Sequence, residues 1–235
     1  TMQSRGYFAS QNASASYYER YMVQMSDALA SLEGDNGFLR IEQTGMSHFS
    51  QISMGFHDFT NESANNDALA LNVSSLMHYS STQSNNEQDF FARVGYTKQS
   101  IFGTYARSPI EPVDKLLGVQ YVIDNRDVPG ATKVDADLPQ PNDSNATSFS
   151  LYRYDQTMPL GYGVASDADL GWLQKDTRII ADPFADQESL FGALTGEDAT
   201  GLYHRDAVDR TEADGDHRSY DVTVTQSGPA YLKLA

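Results

Sequence analysis

The tract from Leu76 to Asn86 groups the side chains best suited to binding a sugar. It reads LMHYSSTQSNN and combines aromatic, hydroxyl and amide groups within one short stretch. Sugar hydroxyls bond to amides and hydroxyls, while the C–H faces of a sugar lie on aromatic rings. The same composition is typical of a loop whose polar groups bond to each other and cap the next helix. The tract therefore indicates either a carbohydrate site or a self-bonded loop.

The histidines and acidic residues form no recognisable metal motif. The sequence contains neither an H-x-x-x-H pair nor H-E-x-x-H. Glu212-Ala-Asp214-Gly-Asp216 resembles the start of a calcium loop, but the glycine and glutamate that an EF-hand needs at its sixth and twelfth positions are missing. Asp and Gly also make ordinary turns, so an acidic solvated loop is favoured. We expect no metal and no cofactor.

Other catalytic patterns are missing too. The sequence lacks G-x-S-x-G and a phosphate-binding P-loop, and Gly161-Tyr-Gly163 lacks the third glycine of a dinucleotide fingerprint. With no cysteine, thiol catalysis, disulfides and thiolate metal sites are excluded. A pair of carboxylates for glycoside hydrolysis stays open, because the separation of roughly 5 to 10 Å that defines it is spatial.

The composition indicates an acidic folded protein. Its 235 residues carry 32 acidic and 16 basic side chains, which gives a net charge of −16. Such a field repels nucleic acid phosphates, so we expect no nucleic-acid partner, and it favours solubility in a salty or acidic exterior. The 14 Tyr and 11 Phe exceed what a disordered acidic chain contains. No apolar run approaches the roughly 20 residues of a membrane span, and no leader peptide opens the sequence.

Two elements before the tract would position it. We interpret residues 1–15 as a linker or an expression remnant, followed by a helix over 16–33 that begins at a capping box of Ser16 and Glu19. Residues 38–42 predict a short strand with Arg40 on the same face as Glu42. Residues 51–56 suggest another short strand, and 72–80 either a strand or a loop.

Helices and strands alternate after the tract. Asn86 predicts the cap of a helix that ends at Gly95, a second short helix follows Pro109, and residues 119–123 form the clearest strand pattern. The Asp- and Pro-rich stretch 124–147 predicts a loop that could divide two lobes near 125–147. Two further strands are expected at 148–154 and 159–164. A helix is expected with Asp182 as its cap, Pro183 at its first position and its end before Gly196.

The last residues predict a change of architecture. Residues 201–235 are expected to form an acidic loop and two strands, 220–224 and 230–234, around a turn at 227–229. An edge strand normally continues to a polar stop, so we expect the natural protein to continue and to begin a further β-rich module. Residues 16–200 then form an α/β or α+β domain, a mixed sheet packed by several helices.

Several segments match a known family in order. The sequence resembles the YfhO family of bacterial polytopic membrane proteins over about 17 to 196, and the matching segments are YYERYM, GFLRIEQT, SLMHYSSTQSN, DFFARVGY, DKLLGVQYVID, LYRYDQTMPLGYGV and PFADQESLFGALTG. The resemblance implies a GT-C-like glycosyltransferase with many membrane helices. Its outward-facing region would receive a sugar from a polyprenyl-phosphate carrier and pass it to a cell-envelope polymer such as lipoteichoic acid in a Gram-positive bacterium.

The resemblance also implies where the parts of such a protein lie. The segment would be an extracytoplasmic domain at the cell membrane, on its extracellular face, and would be catalytically inert alone, because GT-C enzymes carry their catalytic acid in an early loop beside the membrane. A carbohydrate or a polyprenyl-phosphate-sugar would be its ligand, and membrane helices outside this segment would anchor it. The residues expected to line the surface near donor or acceptor are Arg40, His78, Tyr79, Ser80, Ser81 and Asn85.

Two other functions fit the same residues. A free-standing envelope module that binds carbohydrate or mediates adhesion would show the same tyrosine-rich, acidic composition. A secreted hydrolase using two carboxylates would also be compatible. Apolar spans of about 20 residues on both sides of this segment in the parent protein would separate the membrane interpretation from both.

Overall fold

A computed structural model of the chain describes residues 12–32, 34, 38–43, 67–76, 84–96, 109–139, 148–161, 163–168, 171, 182–214, 217–228 and 231. The chain divides into two compact units, residues 1–163 and residues 164–235. Among the residues described, the first unit contains a four-stranded sheet with helices, and the second contains one helix and a separate two-stranded sheet. The fold is therefore α+β with a mixed main sheet, as the sequence predicted.

The main sheet joins strands from distant parts of the first unit. Its strands are β1 (Ile41–Gln43), β2 (Tyr121–Asp124), β3 (Thr132–Val134) and β4 (Ser150–Arg153), in the order β1-β2-β4-β3. β1 runs parallel to β2, and β4 runs antiparallel to both β2 and β3. Beyond β1, an isolated parallel bridge joins Arg40 to Ser74.

One face of this sheet packs against the first helix, α1 (Asn12–Ala30). Buried side chains of α1 meet alternate residues of the central strands in one apolar cluster, completed by Leu138 and Phe149. We call this the helix face; it comprises Tyr21, Met25, Leu29, Ile41, Tyr121, Ile123 and Leu151. Because successive strand residues point to opposite faces, Glu42, Val122 and Tyr152 belong to the other side.

Three more helices lie in the described part of the first unit. They are α2 (Asp67–Ala70), α3 (Asn85–Arg93) and α4 (Glu111–Leu116). Pro112 lies in the first turn of α4, where the proline lacks only a backbone donor that would be unbonded anyway. Gly118 follows α4 with φ +69, a left-handed conformation that suits glycine.

In the second unit, α5 (Pro183–Thr195) shows both expected terminal signals. The Asp182 carboxylate accepts hydrogen bonds from the backbone N–H groups of Phe184 and Ala185, and Gly196 ends the helix at φ +73. β5 (Ala207–Asp214) and β6 (His217–Thr223) form an antiparallel hairpin with an irregularity between Arg210 and Glu212.

Most predicted helices and strands are present, with shifted ends. The first helix starts at Asn12, so Ser16 lies inside it and is not its cap. α3 begins at Asn85 with Ser84 in the cap position. The strand predicted at 159–164 is wrong where the structure describes those residues, and the stretch 124–147 contains the unpredicted strand β3.

The first predicted C-terminal strand, 220–224, falls almost entirely within β6, which pairs with β5. Residues 217–223 pair with 207–214, a pairing that the sequence did not predict. Most of 230–234 lies outside the described residues, as does the strand suggested at 51–56.

Candidate functional site

Two of the six predicted site residues lie in the described part of the chain. Arg40 immediately precedes β1, and Asn85 is the exposed first residue of α3. No hydrogen bond or ion pair joins the two among the described residues. The other four, His78, Tyr79, Ser80 and Ser81, lie outside the described residues.

The backbone of Arg40 is fixed on both sides. Its N–H donates to the side-chain Oε1 of Gln120 at 3.2 Å, and its carbonyl accepts from the N–H groups of Gln120 at 3.1 Å and Tyr121 at 3.3 Å. These bonds extend the β1–β2 pairing by one residue, which is why the start of β1 is ordered against β2. The Arg40 side chain thus projects from a rigid base.

The guanidinium of Arg40 is half-buried. Its Nη1 donates to the backbone carbonyl of Leu117, and its central carbon lies 5.1 Å from the centre of the Phe38 ring, a cation–π contact. Burial lowers the pKa of the Arg40 guanidinium, and the nearby Glu42 opposes that change. The side chain is therefore held in place by one hydrogen bond and one aromatic ring.

Glu42 is a fully buried carboxyl group two residues along the strand. Ser75 Oγ–H donates to its Oε2 at 2.8 Å, and the Leu76 N–H donates to its Oε1 at 2.5 Å. Leu76 is the first residue of the tract that the sequence singled out. Glu42 therefore anchors the backbone at the point where that tract begins.

Asp114 on α4 is the second fully buried carboxylate. Its Oδ1 accepts from the Tyr96 hydroxyl, and its Oδ2 accepts from the Tyr154 hydroxyl at 2.9 Å and from the Ile110 N–H at 3.1 Å. Tyr96 follows α3 and Tyr154 follows β4, so one carboxylate connects three separate parts of the unit. Such a network is stable only when every member is paired.

The two carboxyl groups influence each other. Burial raises the pKa of Glu42 to about 8; Asp114 raises it further, whereas the bonds from Leu76 and Ser75 and the charge of Arg40 lower it. Glu42 therefore holds a proton at neutral pH, and the Ser75 hydroxyl can reverse its role to accept it. Burial and Asp114 also raise the pKa of the Tyr96 hydroxyl well above its usual value.

This side of the sheet is thus mixed in chemistry. We call it the carboxylate face: Glu42, Asp114, Tyr96 and Tyr154, together with the neighbouring buried Val119, Val122, Val128 and Tyr152. Within the described ranges, no three acidic or histidine side chains converge as metal ligands would. The arrangement can hold and release a proton and can place a fixed guanidinium beside it.

Sequence reasoning identified Arg40 but missed the carboxylates. The strand pattern placed Glu42 on the face of Arg40, which is the one available signal. Nothing local marks Asp114, Tyr96 or Tyr154, because these side chains meet only after α4, α3 and β4 have packed. A buried Asp that accepts from two tyrosines depends on tertiary contacts.

The described helices also bear on how the chain relates to a membrane. In the part of the chain that the structure describes, no helix is both long enough and apolar enough to span a bilayer.

Comparison with known proteins gives one match. The model of a family described as bacterial membrane protein YfhO matches residues 2–231, nearly the whole chain. No curated protein and no solved structure matches the chain.

Proposed function

The chain belongs to the YfhO family of bacterial membrane proteins, and from that premise we propose that it is the extracytoplasmic domain of a polytopic membrane glycosyltransferase. The full protein would transfer a sugar from a polyprenyl-phosphate carrier to a cell-envelope polymer such as lipoteichoic acid. The observation that carries this proposal is the family match over residues 2–231. The membrane helices and the catalytic acid would lie elsewhere in the full protein.

The domain would contribute ligand contacts. The proposed surface near donor or acceptor comprises Arg40, His78, Tyr79, Ser80, Ser81 and Asn85. Arg40 supports this role because its guanidinium is held by Leu117 and Phe38. Glu42 supports the same role indirectly, because its hydrogen bonds to Ser75 and Leu76 fix the backbone where the proposed sugar-binding tract starts.

The function is tested in the bacterium that encodes the protein. A deletion strain should lose sugar substituents from its purified lipoteichoic acid, and the wild-type gene should restore them. Full-length protein carrying Tyr79→Ala should restore less, because the ring that stacks on a sugar is gone, whereas Tyr79→Phe should restore more than Tyr79→Ala. Unchanged substitution of the polymer in the deletion strain would overturn the proposal and leave the stand-alone binding module as the better account.

The extracellular location has its own test. The chain contains no cysteine, so Leu69→Cys places a single thiol of this domain at a side chain that is 81% exposed. A membrane-impermeant maleimide added to intact cells should label this variant and not the parent protein. Labelling only after the cells are broken open would place the domain on the other side of the membrane.

A further inference from the structure

The Arg40 guanidinium has unused hydrogen-bonding capacity. Of its three nitrogens, Nη1 donates to Leu117, and Nε is buried with no hydrogen-bond partner. No acceptor for Nη2 is found among the described residues either. Nε is buried beyond the reach of a ligand, so Nη2 is the donor that is open to one.

The charge of Arg40 also lacks a neutralising partner at neutral pH. Lys115 and Arg126 each pair with a carboxylate, Glu111 at 2.8 Å and Asp124 at 3.3 Å. The carboxyl group that acts on Arg40 is Glu42, which is protonated at neutral pH because burial raises its pKa to about 8. Arg40 thus keeps an uncompensated positive charge in a half-buried position of a strongly acidic chain.

The surroundings of Arg40 are fixed and partly apolar. The chain turns at Gly118, directly after the carbonyl that holds the guanidinium; a Cβ there would lie 3.0 Å from the Met158 carbonyl and 3.9 Å from the Phe38 ring. The Met158 N–H in turn donates to the Lys115 carbonyl at 2.8 Å, while the Met158 side chain is 40% exposed. The guanidinium therefore lies on an aromatic ring, and the backbone of the partly exposed Met158 lies against the turn that follows Leu117.

We propose that Arg40, stacked on Phe38 and held by the Leu117 carbonyl, is the anion-binding residue of a phosphodiester subsite. A guanidinium presents several donors in a planar fork that matches a phosphate group. The choice of a phosphodiester, rather than another anion, rests on the proposed function, since both the polyprenyl-phosphate-sugar and a polyol-phosphate polymer carry one. Met158, whose backbone lies against the turn at Gly118 and whose side chain is partly exposed, is the residue we assign to an apolar group attached to the phosphate.

The subsite is coupled to a proton. The groups that face Glu42 are Arg40 on its own strand, Asp114 on α4 and Tyr96 after α3. When Glu42 ionises, it supplies the negative charge that Arg40 otherwise takes from the ligand, so anion binding and ionisation of Glu42 oppose each other. Binding should weaken as the pH rises through the Glu42 titration.

A titration of the 235-residue chain tests the subsite. The probe is glycerophosphoglycerol, whose single charge does not change in the range used. Binding is followed by NMR through the C–H signals of the Phe38 ring, which the wild type and the variants share, up to about 50 mM, because one charge-assisted contact gives roughly millimolar affinity. Arg40→Gln should weaken binding about tenfold. Lys133→Gln removes one charge from an exposed lysine on β3 and should bind like the wild type.

The pH dependence gives an independent test that does not need an Arg40 variant. From about pH 6.5 to about pH 9 the wild-type affinity should fall about fivefold, whereas Glu42→Gln, which stays neutral, should keep its affinity. Circular dichroism at both pH values verifies that the chain is folded. The subsite is refuted by a folded Arg40→Gln chain that binds like the wild type, by no wild-type binding, or by the same pH dependence in Glu42→Gln.

A second probe distinguishes the two sources of phosphodiester. Geranylphosphoryl glucose carries an isoprenoid group that glycerophosphoglycerol lacks. If the chain binds it more tightly than glycerophosphoglycerol, and Met158→Ser abolishes that difference, the natural ligand is the lipid carrier. If the two probes bind with equal affinity and Met158→Ser changes neither affinity, the natural ligand is the polymer. If Arg40 binds either probe while deletion of the gene leaves the envelope polymer unchanged, the subsite is supported and the proposed function is refuted. If neither probe binds but deletion removes the sugar from the polymer, the subsite is refuted and the proposed function is supported.

Discussion

The two faces of the main sheet use the same strands in different ways. On the helix face, Ile41 and Ile123 pack against α1 in an apolar cluster, beside a hydrogen bond of 3.1 Å from the Tyr21 hydroxyl to Gln43. On the carboxylate face, the alternate residue Glu42 is buried as deeply, next to Asp114 and two tyrosine hydroxyls. A change on the first face removes contact area, whereas a change on the second leaves buried donors or acceptors without partners.

This difference has a consequence for function. Buried apolar area stabilises a fold at any pH, but a buried carboxyl group makes the fold respond to protons. The carboxylate face also holds Ser75 and Leu76, where the tract proposed to bind sugar begins, and lies beside Arg40. We therefore expect variants of the helix face to change stability alone, and variants of the carboxylate face to change stability, pH dependence and ligand binding together.

The largest effect is expected at Asp114. Asp114→Ala removes the acceptor of the Tyr96 and Tyr154 hydroxyls and of the Ile110 N–H, which should lower the free energy of unfolding by about 3 to 5 kcal/mol. Asp114→Asn keeps one carbonyl oxygen as an acceptor and should lower the free energy of unfolding by less. Urea denaturation of both variants measures this. A loss below about 1 kcal/mol in Asp114→Ala would show that the network contributes little.

A comparable but pH-independent effect is expected on the helix face. Met25 is completely buried at the centre of the apolar cluster. Met25→Ala should cost about 2 to 4 kcal/mol, through lost burial and the cavity left behind. Denaturation at two pH values should give the same loss at both, with Met25→Leu as the volume-matched control. If the loss of stability in Met25→Ala varied with pH, the helix face would not differ from the carboxylate face in its response to protons.

A smaller effect is expected from the pH itself. Glu42 has a pKa of about 8 in the folded chain against an ordinary value of 4.5, so the folded state holds a proton that the unfolded state has released between these values. Stability should therefore fall as pH rises through this window, by at most about 1.4 kcal/mol per pH unit and about 2 kcal/mol between pH 6 and 8. Glu42→Gln should remove this slope, and an unchanged slope would assign it to other groups.

The sequence predicted elements whose signals are local. Asp182, Pro183 and Gly196 mark both ends of α5 by backbone chemistry that needs no other part of the chain, and α5 was predicted with those ends. The alternation of Arg40, Ile41 and Glu42 gave the correct faces of β1 for the same reason. Local signals fail at α1, where a capping box at Ser16 marks no helix start because the helix already runs from Asn12.

Pairing and burial could not be predicted because they depend on distant partners. β3 lies in a stretch rich in Asp and Pro, and only its ladder with β4 makes it a strand. Residues 217–223 have strand composition, but the sequence does not say whether they pair with the residues before or after them. The site divides in the same way: Arg40 was found from the strand pattern and the family resemblance, whereas Asp114 is defined by tyrosines from other elements.

If the carboxylate face supports sugar transfer to the cell envelope, two charge-matched variants should behave differently in cells. Full-length protein with Arg40→Gln or with Lys133→Gln is expressed to equal levels in the deletion strain, and the sugar content of the purified lipoteichoic acid is determined. The sugar content with Arg40→Gln should fall toward that of the deletion strain, while the sugar content with Lys133→Gln should match that of the wild type. Wild-type sugar content with Arg40→Gln would show that Arg40 has no part in sugar transfer.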